Sequence, residues 1–144
     1  MEIPKELLAA YFNTDYLIPE LGLCLSINES NRKLQNYLIK QGFNSFAFIT
    51  AWNPNSELQS LTTNQAANQK LKLHLRAKGF SFFDGLGQGR DGNWPAEESF
   101  LVMDIDLAEA FQVAVAFRQM AFLWGNGQAI PRLYFSNDKS HFSH

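Results

Sequence analysis

Hydrophobic positions along the chain follow two different periods, which predict both strands and helices. The segment LGLCLSI (21–27) alternates apolar residues with others, and this period of two is typical of a half-buried strand. The segment SFAFITAW (45–52) is apolar almost throughout, which favours a strand buried on both faces. Strands are therefore expected at both segments, and the second is expected near the middle of a sheet.

Two further pairs of strands are predicted from apolar runs that flank turn sequences. FSFFDGL (80–86) and ESFLVMDI (98–105) are joined by a glycine-rich segment. MAFLW and IPRLYF flank Gly125-Asn126-Gly127, a sequence that favours a tight hairpin turn. Because Pro131 has no N–H to donate to a neighbouring strand, the last strand is expected at a sheet edge.

Helices are predicted where good helix formers follow a capping residue. Asp106 and Glu109 have the spacing of a capping box, in which each side chain accepts from the other residue's backbone N–H. Thr62 and Gln65 have the same spacing. Gly42 is expected to end a helix, since glycine readily adopts the left-handed conformation. The predicted helices are residues 4–12, a segment from Asn28 or Ser30 to Lys40, residues 62–78 and residues 107–117.

This arrangement of elements predicts a layered α/β (α+β) fold, because helices alternate with strands while two junctions resemble hairpins. We expect one globular domain over residues 1–135, with a mixed sheet of about five to six strands and three to four helices. Residues 136–144 are expected to form a frayed polar tail.

Composition excludes several classes of protein. Of the 144 residues, 46% are hydrophobic and 18% charged, unlike a disordered chain or a fibrous repeat. The net charge is −2 and no Lys/Arg-rich stripe is present, so no nucleic-acid partner is expected. The sequence shows no signal peptide and no bilayer-spanning apolar run. Cys24, the lone cysteine, is expected as a small buried side chain. We therefore expect a soluble, cytoplasmic protein without a membrane partner.

A glycine-rich motif at residues 87–92 formally matches G-x-G-x-x-G. A dinucleotide-binding fold requires a helix to start at this motif, whereas a strand is predicted after it. Two interpretations remain: a wide hairpin connection, or a loop in which the Arg90 guanidinium contacts a phosphate or another anion.

Adjacent carboxylates at Glu97 and Glu98 are the most suggestive acids in the sequence. Side chains of adjacent strand residues point to opposite faces, so one should face solvent and the other could be partly desolvated beside Trp94. Glu98 is the single candidate for a general acid or base, and the alternative is a rim carboxylate bonded to loop amides. The three histidines lack metal-ligand spacing, and no P-loop, G-x-S-x-G or H-E-x-x-H motif is present. No metal and no cofactor is therefore expected.

Polar side chains cluster where the apolar strand 45–52 ends. Asn53 and Ser56 follow that strand, and Asn64 and Asn68 stand one turn apart at the start of the next predicted helix. Ligand sites favour strand ends and helix N-termini, so these amides could surround one pocket. The alternative is structural: Asn53-Pro54 makes a turn and Asn64 helps to cap the helix.

The same residues resemble a known family. FITAWNPNS, Asn64, KGF, GNWPAEESFLV and FRQMAFLW, in this order and spacing, resemble a bacterial family of unknown function, domain-of-unknown-function family 3293. The resemblance covers about residues 12–135 and implies a small single-domain bacterial protein, with no established activity. In the family pattern a Gly lies where this chain has Arg118. The motif matches fall on Thr50, Trp52, Asn53, Pro54, Ser56, Asn64, Trp94, Glu98 and Gln119.

Two hypotheses of function follow. The first is a binding or enzymatic domain whose pocket, between segments 50–64 and 87–98, takes a small anionic or nucleotide-like metabolite. Its expected ligand-binding residues are Thr50, Trp52, Asn53, Ser56, Asn64, Arg90, Trp94 and Gln119. The second is a non-catalytic interaction or regulatory domain, in which Trp-rich loops bind a protein partner. An exposed apolar patch around the tryptophans, without an enclosed cavity, would favour the second hypothesis.

Overall fold

An antiparallel sheet forms the centre of the structure. The computed structural model describes residues 3–92 and 95–136. Within these ranges the sheet has seven strands, in the order β2-β1-β4-β5-β3-β6-β7, and each neighbouring pair runs antiparallel. The strands are β1 (Thr14–Ile18), β2 (Leu23–Leu25), β3 (Ser45–Ile49), β4 (Phe82–Gly89), β5 (Glu97–Met103), β6 (Ala121–Asn126) and β7 (Arg132–Phe135).

Helices cover both faces of this sheet. They are α1 (Lys5–Phe12), α2 (Arg32–Gln41), α3 (Leu61–Ala77) and α4 (Leu107–Ala116), and short 3-10 turns lie at Pro19–Leu21 and Pro54–Ser56. Leu34 and Leu38 of α2 pack in one apolar cluster, against one sheet face. Helices α3 and α4 pack in a second cluster, against the other face.

Strand β3 separates the two clusters and is buried along its whole length. Phe46 and Phe48 point toward α2, whereas Ala47 and Ile49 point toward α3 and α4. This alternation explains the unbroken apolar run, since each successive side chain meets a different core.

Capping residues agree with the sequence predictions at some helix ends and differ at others. Helix α2 is capped by Asn31, whose side chain accepts from the Leu34 N–H, rather than by Asn28 or Ser30. The capping box of Asp106 and Glu109 is present at the start of α4, and Gly42 ends α2 in the left-handed conformation. The predicted capping box at Thr62 is wrong. Ser60 caps α3 instead, because its side chain accepts from the Thr63 N–H.

The predicted α+β class is confirmed, and the sheet differs from expectation in two respects. It has one strand more than the predicted maximum, because β1 (TDYLI) is short and begins with polar residues. It is antiparallel rather than mixed, since β3 lies between β5 and β6, which both run opposite to it. The last strand, β7, lies at a sheet edge as predicted.

One sequence prediction about burial is wrong, and others concern residues outside the described ranges. Cys24 is exposed, which corrects its expected burial: on edge strand β2, Leu23 and Leu25 point inward and Cys24 points outward. Trp94 lies outside the described residues, as does the predicted tail beyond Ser136 with His141 and His144. Among the described helices, none is both long and apolar enough to cross a membrane.

Replacing Gly125 with alanine should destabilise the sheet. A Cβ at Gly125 would lie 2.6 Å from the Phe46 ring and 2.7 Å from the Ile130 carbonyl oxygen. We expect Gly125→Ala to lower the free energy of unfolding by about 2 kcal/mol, measured by chemical denaturation. Gly127→Ala is the control, because its Cβ would meet nothing closer than 3.9 Å. Equal stabilities of the two variants would contradict this packing.

Candidate functional site

A cavity of about 480 Å³ lies on the sheet face that carries α1 and α2. Five strand ends meet there: the starts of β1, β5 and β6 and the ends of β3 and β4. They share one end of the sheet because neighbouring antiparallel strands alternate in direction. Helix α1 forms the outer wall through Glu6, Leu7, Ala10 and Tyr11, which occupy one side of the helix.

The backbone that leaves β3 is held by side chains of α3 rather than by another strand. Asn68 Oδ1 accepts from the Ala51 N–H at 2.8 Å, and Asn64 Oδ1 accepts from the Asn53 N–H at 2.8 Å. Because Asn64 and Asn68 are one helical turn apart, their amides reach alternate residues of the extended segment. The two side chains therefore replace the hydrogen bonds that a neighbouring strand would supply.

Asn53 connects this support to the cavity. Its side-chain oxygen accepts from Asn64 Nδ2 at 2.8 Å and from the Gln59 N–H at 3.0 Å. Its Nδ2 donates to Glu97 Oε2 at 3.2 Å. Asn53 lines the cavity, whereas Asn64 is only 2% exposed and lies behind it. Of the four clustered polar side chains, Asn53 and Ser56 reach the cavity wall.

The loop after β3 contains a cluster of left-handed residues. Asn53, Asn55 and Ser56 have φ values of 47°, 58° and 60°, and Arg118 has 57°. The Asn55 N–H donates to the Arg118 carbonyl at 2.7 Å, so the two strained segments are in contact. Such conformations cost free energy in non-glycine residues and persist where surrounding contacts enforce them, often at functional sites.

Arg118 occupies the residue position that follows the C-cap of α4. Its N–H donates to the Val115 carbonyl, and the Gln119 N–H donates to the Ala114 carbonyl. These two bonds form the Schellman motif, in which glycine is the preferred left-handed residue. Arg118 therefore occupies a position at which glycine would be conformationally favoured.

Gln119, the residue after Arg118, lines the cavity and is 8% exposed. Its Nε2 donates to the Trp52 carbonyl at 3.2 Å and to the Phe117 carbonyl at 3.3 Å. The side chain thus links the end of α4 to the loop after β3. Trp52 is itself buried, at 6% exposure, and contributes to the wall.

Polar groups from three elements meet at this end of the cavity. Burial raises the pKa of the Tyr11 phenol, a hydrogen bond with Ser56 partly offsets this rise, and the nearby Glu97 carboxylate adds a smaller increase. Burial also raises the pKa of Tyr16, whose hydroxyl donates to the Tyr11 carbonyl at 2.8 Å. Both phenols are therefore protonated at neutral pH and present O–H groups.

Two further predicted site residues, Arg90 and Glu98, lie away from the cavity. Arg90 Nε donates to Asp15 Oδ1 at 2.8 Å, and Nη2 donates to Ser26 Oγ at 3.3 Å. Asp15 is adjacent to Tyr16 on β1, so the two side chains point to opposite faces and Arg90 lies on the face without the cavity. The Glu98 side chain is exposed, although its backbone carbonyl accepts from Thr50 Oγ1.

Glu97, rather than Glu98, lines the cavity together with Ser99. The strand register decides this choice, since residues 97, 99, 101 and 103 share one face of β5. Tyr11 and Tyr16 were not expected at a site, and the single hint was the helical spacing of Leu7, Ala10 and Tyr11.

The glycine-rich motif and the acidic residues add no cofactor or metal geometry. Gly87 and Gly89 belong to β4, and β5 is the next described element, so the helix that a dinucleotide fold requires does not begin between them in the described residues. Within residues 3–92 and 95–136, no group of three or more His, Cys, Asp and Glu side chains could hold a metal ion.

Comparison with known proteins identifies the family. A family model described as "Protein of unknown function (DUF3293)" matches residues 49–122, about half of the chain. The chain belongs to this family. No curated protein and no solved structure matched the chain. The matched segment contains the loop after β3, the two Asn side chains of α3, Glu97 and Gln119, whereas α1 and β1 precede it.

Truncating Asn64 should destabilise the protein. Asn64→Ala removes the acceptor for the buried Asn53 N–H and the donor to its side chain. We expect a loss of about 2–3 kcal/mol in the free energy of unfolding, measured by urea denaturation. Gln65→Ala, at the next and exposed position of α3, is the matched control and should be neutral. If both variants keep the parent stability, the support from α3 is dispensable.

Placing glycine at position 118 should stabilise the protein. Arg118→Gly relieves a left-handed residue at the end of α4 and should raise the free energy of unfolding by about 1 kcal/mol. Arg118→Ala removes the same side chain but retains the Cβ, so it should give no such gain. A gain of similar size in both variants would assign the effect to the arginine side chain.

Proposed function

We propose that the cavity beneath α1 is a binding site for a small molecule with an apolar body and a polar end. The observation that carries this proposal is the cavity itself. Its volume of about 480 Å³ falls within the roughly 300–1,000 Å³ typical of ligand pockets. Leu7, Phe48, Leu123 and Leu133 supply apolar wall, and apolar atoms form most of the cavity surface.

The burial of Trp52 favours a small molecule over a protein partner. An interaction surface would present this ring to solvent as an anchor. Trp52 is instead 6% exposed and forms part of an indented wall. The left-handed residues beside Trp52 also support a site, because backbone strain of this kind is found where a defined geometry is needed.

The charges of the wall favour a neutral or cationic ligand over the anionic metabolite expected from the sequence. Glu6, Asp91 and Glu97 line the cavity, and no Lys or Arg is among the described residues that do. Arg90, on which the anionic expectation depended, is paired with Asp15. A carboxylate or phosphate would therefore enter a site of like charge, which is unfavourable.

A cavity-filling substitution tests the proposal. The full-length protein is screened by thermal shift against neutral, cationic and anionic small molecules with apolar bodies, since a ligand that binds the native state raises the melting temperature. Ala10→Trp places a large ring on the cavity side of α1 and should abolish the shifts. Ala9→Trp makes the same change at an adjacent exposed position outside the cavity and should retain them.

Shifts that survive equally in both tryptophan variants would locate binding elsewhere on the protein. A screen without any shift in the parent protein would overturn the proposed binding function and favour an interaction domain.

A further inference from the structure

We propose that the ligand of this cavity is a protonated amine with an apolar body, held at the end formed by Glu97 and Gln119. This inference rests on the proposed binding function and specifies the chemistry of the ligand. It follows from the kind of hydrogen-bonding atom that the wall presents, from the sign of its charge and from the shape of the remaining space.

Gln119 presents an acceptor to the cavity. Its Nε2 donates to the carbonyls of Trp52 and Phe117, and Oε1 accepts from none of the described residues. The side chain is 92% buried and lines the cavity. In the described part of the chain, every side-chain polar atom sealed from solvent has a partner. Oε1 therefore retains access to solvent, and because Gln119 lines the cavity we infer that Oε1 opens into it.

Glu97 places a charged acceptor near the same point. Its Oε2 accepts from Asn53 Nδ2, while Gln119 donates to the carbonyl of Trp52, the preceding residue. The two side chains thus contact neighbouring residues of one loop, and both line the cavity. A carboxylate has two oxygens that together accept several hydrogen bonds, so Glu97 can accept from a ligand N–H in addition to its contacts within the protein.

The electrostatic field at this end is negative. At the Tyr11 phenol, the charged side chain that acts is Glu97, and it raises the pKa of that phenol as burial does. Glu6 and Asp91 add two further carboxylates to the wall. A group with N–H donors and a positive charge can donate to these acceptors and also complements their negative charge. Charge-assisted hydrogen bonds to a carboxylate are stronger than hydrogen bonds between neutral groups.

The rest of the cavity fits a hydrocarbon or aromatic body. Leu7, Phe48, Leu123 and Leu133 contribute apolar wall, and Tyr16 adds an aromatic ring. A strongly hydrated polycation would gain little from these surfaces. An amine attached to a single apolar group matches both ends of the space.

Three probes of similar shape and different charge test the inference. Phenethylamine, phenethyl alcohol and phenylpropionate are titrated into the full-length protein at neutral pH by calorimetry. We expect phenethylamine to bind about ten-fold more tightly than the alcohol, because only the ammonium adds attraction between opposite charges to the hydrogen bond, and the carboxylate to bind weakest.

Two neighbouring glutamates provide the matched variants. Glu97→Gln keeps the size of the side chain and an oxygen that can accept from Asn53, but it removes the charge. We expect the affinity for phenethylamine to fall about ten-fold and that for the alcohol to fall less, since the alcohol loses no attraction between opposite charges. Glu98→Gln makes the same change on the exposed side of β5 and should leave both affinities unchanged.

The outcomes separate this inference from the binding function on which it rests. If the alcohol binds the parent as tightly as the amine, the cavity is a ligand site but the amine inference is overturned. An amine preference that Glu98→Gln reduces as much as Glu97→Gln also overturns it, because a surface charge would then explain the preference. If Glu97→Gln does not fold, Ala10→Trp replaces it: phenethylamine should no longer bind once the cavity is filled, and an amine preference that survives in this variant overturns the inference.

Discussion

The site depends on two asparagine side chains that act as a substitute strand. Beyond Ile49 the chain leaves the sheet, and its buried N–H groups at Ala51 and Asn53 would lack partners without α3. An unpaired buried N–H costs about 1–3 kcal/mol, so the position of α3 and the path of the loop are coupled. That coupling allows the left-handed turns that follow and brings Trp52 into the cavity wall.

Local patterns in the sequence were sufficient for most of the fold. The apolar run of β3, the capping box at Asp106 and the glycine after α2 each depend on neighbours a few residues away. Strand β1 was missed because its pairing with β4 joins residues that are distant in sequence, and its own pattern is short. The antiparallel direction of β3 depends in the same way on where β5 and β6 insert.

The candidate site was predictable in position but not in chemistry. Asn53 and Ser56 follow a strand end, a place where cavities form, and the structure puts both in the wall. The choice between Glu97 and Glu98 depends on strand register, which alternation alone leaves open. Arg90 was expected to meet an anion, yet Asp15, which lies 75 positions earlier in the chain, already occupies its guanidinium.

Helix α1 closes the cavity without burying any of its residues completely. An element held by little buried surface opens at a lower free energy than the core does, and it opens without unfolding the sheet. The outer wall is therefore expected to detach at a lower free energy than the core strands do. A bound molecule that contacts Leu7 and Tyr11 would favour the attached helix, so occupancy would be visible in the amide hydrogen exchange of the first twelve residues.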